Sequence, residues 1–200
     1  MEEGKAGGEV LALIARALTL SRFVLLIPFL WLLKAVAAHP STPGRLALAG
    51  TYAFIALSDT LDGRLARRAN AASRLWGRID VVADILFNFS ALTAASLLGW
   101  MGPWVPAGVA ILGGRFLWRI APDSDDPAPR VREDRAGKLA GFLYYALVGW
   151  VVAESSTGGI LGPSAVARGA DAVFAYTLVA FWLGREPPGS SRRGRSTRSA

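Results

Sequence analysis

Long apolar runs constrain this chain more than any other feature. Several of them approach the roughly 20 residues that a helix needs to cross a bilayer. Only 18% of the 200 residues are charged, whereas soluble domains carry roughly 25%. The mean hydropathy of +0.36 agrees with this shortage of groups that face water. A soluble enzyme is therefore disfavoured, a disordered chain is excluded, and the sequence predicts an all-α integral membrane protein.

Six membrane-spanning helices are predicted, because polar or Pro- and Gly-containing segments separate six apolar runs. Several runs are shorter than the ideal length, so we expect tilted helices or partly hydrated helix ends. The predicted spans cover residues 18–38, 46–62, 79–98, 103–120, 139–153 and 166–183.

The two ends of the chain differ from the predicted membrane domain, which covers residues 18–184. Residues 1–17 are too polar to span, but they place apolar side chains on one side, which predicts a short interfacial helix. Glu2 and Glu3 at its start argue against a cleaved signal peptide. Residues 185–200 are dominated by Gly, Ser, Pro and Arg, a composition that predicts a disordered basic tail.

Basic residues favour one side of the predicted bundle. If the N-terminus is cytoplasmic, the cytoplasmic side receives the arginine-containing loops after the second and fourth spans and also the basic tail. The other side keeps only Lys34, Arg45 and Arg168. By the positive-inside rule, we expect a multi-pass protein of the cell membrane with both termini in the cytoplasm. The net charge of +7 then indicates contact with anionic lipid rather than with nucleic acid.

The kinds of metal site open to this chain are limited by its composition. It contains no cysteine and one histidine, His39. Disulfides, thiolate nucleophiles and sites built from Cys or several His are therefore excluded. A metal ion must be bound by carboxylate oxygens, the ligands that Mg²⁺, Mn²⁺ and Ca²⁺ prefer.

Two pairs of aspartates lie at the end of the second span and the start of the third. Asp59 and Asp62 are three residues apart, and Asp80 and Asp84 are four apart, so each pair falls on one helix face. A carboxylate within a span costs several kcal/mol unless it is paired, hydrated or bound to metal. Four such charges predict a shared site in which a divalent cation offsets their repulsion. The structural alternative is a set of ion pairs at a hydrated membrane edge, with Arg64, Arg67, Arg74 and Arg78.

The aspartates and three residues beside them follow a longer pattern, D-x-x-D-G-x-x-A-R and then, after a gap, G-x-x-x-D-x-x-x-D, in which only the second glycine is not matched. Its positions are Asp59, Asp62, Gly63, Ala66, Arg67, Asp80 and Asp84. The pattern resembles the signature of the CDP-alcohol phosphatidyltransferase family. It is specific, because it places seven residues across a stretch of 26.

Other segments are similar to the phosphatidylglycerophosphate synthase branch of this family. Residues 18–22 read Leu-Thr-Leu-Ser-Arg, with Pro28 after them, and Gly137 and Lys138 precede the fifth span. One position departs from the pattern, since Trp76 stands where the family has its second glycine and Gly77 follows one residue later. A non-catalytic relative that binds nucleotide or lipid therefore remains an alternative.

The resemblance implies a transferase of phospholipid biosynthesis. Such an enzyme moves the phosphatidyl group of a CDP-linked lipid, for example CDP-diacylglycerol, to an alcohol and releases CMP. The implied ligands of Mg²⁺ or Mn²⁺ are Asp59, Asp62, Asp80 and Asp84, and Asp84 is also the implied general base. The residues implied to line the CDP site are Gly63, Ala66, Arg67 and Gly77.

The acceptor alcohol is left open by the sequence. Arg115 and Lys138 are the best candidates for basic side chains that turn inward from the fourth and fifth spans. If they do, they form a phosphate pocket for an acceptor such as glycerol 3-phosphate or inositol phosphate. If they do not, they belong to the ordinary positive charge of cytoplasmic loops. A second copy of the chain is a further candidate partner, because relatives commonly dimerise.

A divalent-cation transporter or channel is the alternative from a different functional class. The aspartates would then form a permeation site, which requires acidic residues along a continuous path. The outer halves of the spans contribute none that face inward by pattern. The phosphotransferase is therefore the favoured hypothesis.

Overall fold

In the computed structural model, the apolar runs form α-helices that end at the Pro-, Gly- and charge-rich segments. The structure describes residues 2–68, 74–119, 135–159 and 162–183. The prediction of an all-α chain is confirmed for these residues, which form six helices. They are α1 (Glu2–Ala38), α2 (Thr42–Arg68), α3 (Arg74–Leu97), α4 (Trp104–Arg119), α5 (Arg135–Thr157) and α6 (Pro163–Leu183).

Four of these helices are long and apolar enough to cross a membrane. The candidate spans are Glu9–Ala38, Leu75–Leu97, Ala136–Thr157 and Pro163–Leu183. The described part of α4 has only 16 residues, fewer than the roughly 20 that span a bilayer. Helix α2 carries one aspartate pair and several arginines. The six predicted helices are thus present, and length and composition support four of them as spans.

Helix α1 is longer than predicted. The segment predicted as a separate interfacial helix is continuous with the first span, in one helix of 37 residues. No proline or glycine lies between Glu9 and Ile27, so nothing in the sequence breaks the helix there. Pro28 is accommodated inside the helix. In the predicted interfacial stretch, Val10 and Leu13 are exposed while Ala12 and Ala15 are buried.

The outer surface of the bundle is apolar. Each of the six helices exposes large hydrophobic side chains, including Ile27, Leu57, Leu97, Trp118, Phe142 and Trp182. In water, so extensive an exposed apolar surface is unfavourable. Several apolar helices with apolar outer faces therefore identify a membrane protein.

Helix α1 packs against both helices that carry the aspartates. It contacts α2, α3 and α5, and α5 in turn contacts α2 and α3. The apolar core between them includes Phe29, Leu33, Ile55 and Phe87, with the Phe29 and Phe87 ring centres 5.2 Å apart. These contacts place the middle of α1, around Thr19 and Arg22, beside the aspartate pairs.

Helix α4 closes the bundle by a close approach to α3. A Cβ atom on Gly113 would lie 2.8 Å from Cγ2 of Ile85, a distance that only a glycine permits. Helix α6 then packs against α4 and α5. The arrangement leaves a space between α2, α3, α4 and α5 next to the aspartates.

Candidate functional site

The four aspartates predicted to share a site come together where α2 and α3 meet α1. Asp62 is buried, and Asp59, Asp80 and Asp84 are partly exposed. Carboxylate oxygens of Asp59, Asp62 and Asp80 lie within 4.8 Å of one another. Because the members of each pair are one helical turn apart, two adjacent helices suffice to collect all four side chains.

Arg22 of α1 lies at the centre of this cluster, with a completely buried side chain. Its Nη1 donates to Oδ1 of Asp59 at 3.0 Å and to Oδ1 of Asp84, and its Nη2 donates to Asp62 and Asp80. One guanidinium therefore bonds all four carboxylates. The planar fork of five donors suits this arrangement better than a lysine ammonium would.

Two of the alternative partners predicted for the aspartates, Arg64 and Arg78, form no ion pair with them in the described part of the structure. Of those arginines, Arg64 and Arg78 have described side chains, and the ion pairs found for the aspartates are all with Arg22. The side chains of Arg67 and Arg74 lie outside the described part of the structure. Within that part, the aspartates form one cluster around a buried cation rather than separate surface pairs.

Thr19 adds a second contact from α1. Its hydroxyl lies 2.9 Å from Oδ2 of Asp62 and donates to it. Thr19 and Arg22 are three residues apart and so share a helix face. In the sequence, the Leu-Thr-x-x-Arg segment served only as a mark of resemblance. The structure gives it a physical role, because Thr19 and Arg22 both bond the aspartates.

Tyr145 of α5 completes the surroundings of Asp84. Its hydroxyl donates to Oδ1 of Asp84 at 3.0 Å, and its ring stacks on Phe87 with the ring centres 5.5 Å apart. Tyr145 is not among the site residues predicted from the sequence. It lies 61 positions after Asp84, within the apolar middle of α5, and no spacing signal connects the two.

The donor set of the cluster fits a hard divalent cation. Carboxylate oxygens from three residues lie close enough to share one ion, and oxygen is the ligand that Mg²⁺ and Mn²⁺ prefer. Oδ1 of Asp62 is buried and accepts a hydrogen bond from none of the described residues. A buried carboxylate oxygen without a partner is costly, and a bound cation would supply one. Asp84 lies outside this group of three.

The residues implied to line a CDP site extend from the cluster along α2 and α3. Gly63, Ala66 and Arg67 belong to the last turns of α2, and the surroundings of these three residues lie outside the described part of the structure. Gly77 lies in the first turn of α3 and is exposed, and a Cβ atom there would meet nothing within 4 Å. Gly77 therefore borders open space.

Trp76 contacts α1. The guanidinium carbon of Arg16 lies 5.2 Å from the centre of its ring, a distance typical of a cation–π contact. The residue that replaces the family's second glycine thus packs against the helix that also supplies Arg22.

A cavity of about 760 Å³ lies beside the aspartates, between α2, α3, α4 and α5. Its lining includes Asp59, Asp84, Arg115, Lys138 and Tyr145. The two basic residues predicted to turn inward therefore line the same cavity as two of the aspartates. Cavities of this size accommodate small organic ligands.

Arg115 is held in place by α6. Its Nη1 donates to the backbone carbonyl of Phe181, and its guanidinium carbon lies 5.0 Å from the centre of the Phe181 ring. Lys138, in the first turn of α5, is exposed. The cavity thus has a carboxylate wall from α2 and α3 and basic groups from α4 and α5.

Comparison with known proteins identifies relatives of this chain. Two curated relatives, each named probable phosphatidylglycerophosphate synthase, come from Mycobacterium tuberculosis strains CDC 1551 / Oshkosh and ATCC 25618 / H37Rv. Each is 33% identical over 105 residues, which is 52% of this chain and 50% of the relative. The match thus spans about half the length of these relatives. The family model described as CDP-alcohol phosphatidyltransferase matches residues 12–183, and the chain therefore belongs to the CDP-alcohol phosphatidyltransferase family.

Proposed function

We propose that this protein transfers a phosphatidyl group from a CDP-linked lipid, such as CDP-diacylglycerol, to a small alcohol and releases CMP. The observation that carries the proposal is the convergence of four carboxylates beside a cavity that also holds basic groups. Membership of the family and the names of the two relatives support this reaction class.

In the proposed site, Asp59, Asp62 and Asp80 would hold Mg²⁺ or Mn²⁺. The ion supplies positive charge, which offsets the negative charge of a diphosphate when both are bound. The buried position of Asp62 and the closeness of the three carboxylates support this assignment. The proposed contacts of the CDP group are Gly77, which borders open space, and Gly63, Ala66 and Arg67 in the last turns of α2.

Asp84 is proposed as the general base. Its side chain is 30% exposed and lines the cavity, so an acceptor hydroxyl can reach it. Asp84 takes the hydroxyl proton while the acceptor oxygen forms a bond to the β-phosphorus of the CDP-lipid. The bond between that phosphorus and the bridging oxygen breaks, and CMP leaves with the electron pair.

Arg115 and Lys138 are proposed to bind a phosphate on the acceptor, because both line the cavity that Asp84 reaches. A guanidinium and an ammonium in one cavity favour an anionic acceptor over a neutral alcohol. We therefore infer a phosphorylated acceptor, with glycerol 3-phosphate as the first choice.

The membrane topology is also proposed. Six spans with both termini in the cytoplasm place the basic residues of the site on the side that the positive-inside rule favours. The N-terminal half of α3 and the C-terminal half of α2 then open toward the cytoplasm, where soluble acceptors and CMP are found. The bilayer supplies the CDP-lipid laterally.

In the decisive experiment, the full chain is purified into lipid nanodiscs. It is then supplied with CDP-diacylglycerol, Mn²⁺ and one acceptor at a time from a panel of alcohols. We expect CMP release with glycerol 3-phosphate, loss of the reaction in EDTA, and loss in Asp84→Asn. Absence of CMP release with every acceptor would contradict the proposal and favour a non-catalytic relative. Uptake of Mn²⁺ by proteoliposomes without any CMP chemistry would instead favour a transporter.

A further inference from the structure

Helix α5 is tied to both aspartate-bearing helices through Tyr145. The Tyr145 hydroxyl donates to Oδ1 of Asp84 on α3 at 3.0 Å. The backbone carbonyl of the same residue accepts a hydrogen bond from the hydroxyl of Tyr52 on α2, at 2.8 Å. Two interhelical bonds at one residue fix both its backbone position and its side chain.

Neighbouring residues leave room for this arrangement and hold it in place. A Cβ atom on Gly149, one turn after Tyr145, would lie 2.6 Å from the Tyr52 hydroxyl oxygen. A glycine is therefore required there if Tyr52 is to reach α5. The Tyr145 ring stacks on Phe87 with an interplanar angle of 27°, and Phe87 in turn packs against Phe29.

The two oxygens of Asp84 differ in their surroundings. Oδ1 accepts hydrogen bonds from both Arg22 and Tyr145. Among the described residues, none donates to Oδ2. With Oδ1 anchored from two directions, rotation of the carboxylate is restricted and its second oxygen is left for the cavity that Asp84 lines.

We propose that Tyr145 is a positioning residue, whose hydroxyl holds the Asp84 carboxylate with one oxygen directed to the acceptor. The inference rests on the proposed function, in which Asp84 takes the acceptor proton. A base held near its reactive geometry avoids the loss of rate that follows from a small misplacement. Tyr145 acts through Asp84 and does not itself take part in the proton transfer.

The test compares Tyr145→Phe with Tyr176→Phe in nanodiscs. Tyr176 is a matched control, because its hydroxyl also joins two helices, by a bond of 3.2 Å to the carbonyl of Ala136 on α5. We expect Tyr145→Phe to lower kcat by about 10- to 100-fold and to leave KM for CDP-diacylglycerol unchanged. Tyr176→Phe should retain the wild-type kcat.

Gly149→Ala supplies a second variant that leaves both hydroxyl groups of the network in place. It should displace Tyr52 and lower kcat in the same direction as Tyr145→Phe but by a smaller factor. A wild-type kcat in Tyr145→Phe would overturn the inference, and so would an equal loss in Tyr145→Phe and Tyr176→Phe.

A thermal double-mutant cycle separates this inference from the proposed function. The shift in Tm caused by Tyr145→Phe should be smaller in an Asp84→Ala background than in the wild type, because the partner is already absent. If the wild-type protein releases no CMP, the proposed function fails and the cycle still decides the inference. Additive shifts would then overturn the anchoring of Asp84 by Tyr145, and coupled shifts would support it.

Discussion

The guanidinium of Arg22 bonds the carboxylate of Asp84, which follows 62 residues later in the chain. The same guanidinium also bonds the other three aspartates. One positive charge thus faces four carboxylates, and the cluster retains an excess of negative charge. Arg22 provides part of the charge compensation in the absence of metal, and a divalent cation would provide more.

Arg22→Gln should destabilise the protein strongly in EDTA and much less in saturating Mn²⁺. Removal of one partner of a buried ion pair costs about 3–5 kcal/mol, and a bound cation would offset part of the repulsion that remains. Thermal unfolding with and without Mn²⁺ measures the difference. The control is Arg45→Gln, at the end of α2 opposite to the aspartates. Its change in Tm should be the same in EDTA and in Mn²⁺. Equal losses for Arg22→Gln in EDTA and Mn²⁺ would contradict the prediction.

Asp62→Asn should abolish the rise in Tm that Mn²⁺ causes in the wild type. A ligand at 100 times its Kd stabilises the native state by about 2.7 kcal/mol, and Asp62 is the buried member of the proposed ligand set. Asp171→Asn is the control, because that carboxylate lies on α6 and accepts a hydrogen bond from Nε1 of Trp104 on α4, outside the aspartate cluster. An undiminished Mn²⁺ effect in Asp62→Asn would place the metal elsewhere.

Lys138→Gln should raise KM for glycerol 3-phosphate and leave KM for CDP-diacylglycerol unchanged. Loss of a hydrogen bond to a charged group costs about 1.5–3 kcal/mol, or roughly 10- to 100-fold in KM. Arg115 is not used as the probe, because its substitution would also remove the contacts with Phe181. Lys34→Gln serves as the control on α1. Equal changes in both KM values would argue against an acceptor site at Lys138.

Trp76→Gly should lower stability and should not increase CMP release. The change removes a cation–π contact with Arg16, and such a contact stabilises a protein by about 0.5–1 kcal/mol at an exposed site. It also adds a glycine near the start of α3, which costs up to about 1 kcal/mol more. Thermal unfolding and the CMP assay measure the two effects, with Trp76→Phe as the conservative variant. Activity that appears only in Trp76→Gly would show that the tryptophan blocks the nucleotide site.

Local patterns in the sequence predicted the helices and the residues that share a face. Asp59 and Asp62, and likewise Asp80 and Asp84, fall together because their spacing matches the helical repeat, which depends on no other part of the chain. The resemblance to the family rested on the same residues and is confirmed by the family model. The separate interfacial helix was not found, because no proline or glycine lies between Glu9 and Ile27 and α1 therefore continues from the N-terminal segment into the first span.

The sequence by itself determined an all-helical membrane chain with two acidic helix faces, since hydropathy and helical spacing act within one segment at a time. Only the tertiary structure decided that Arg22 lies among the aspartates and that Tyr145 bonds Asp84. Each of these contacts joins helices that are distant in the chain, and their partners depend on how α1 and α5 pack against α2 and α3. Such packing follows from the fit of whole helix surfaces, including the space left by Gly149 for Tyr52, which no local pattern encodes.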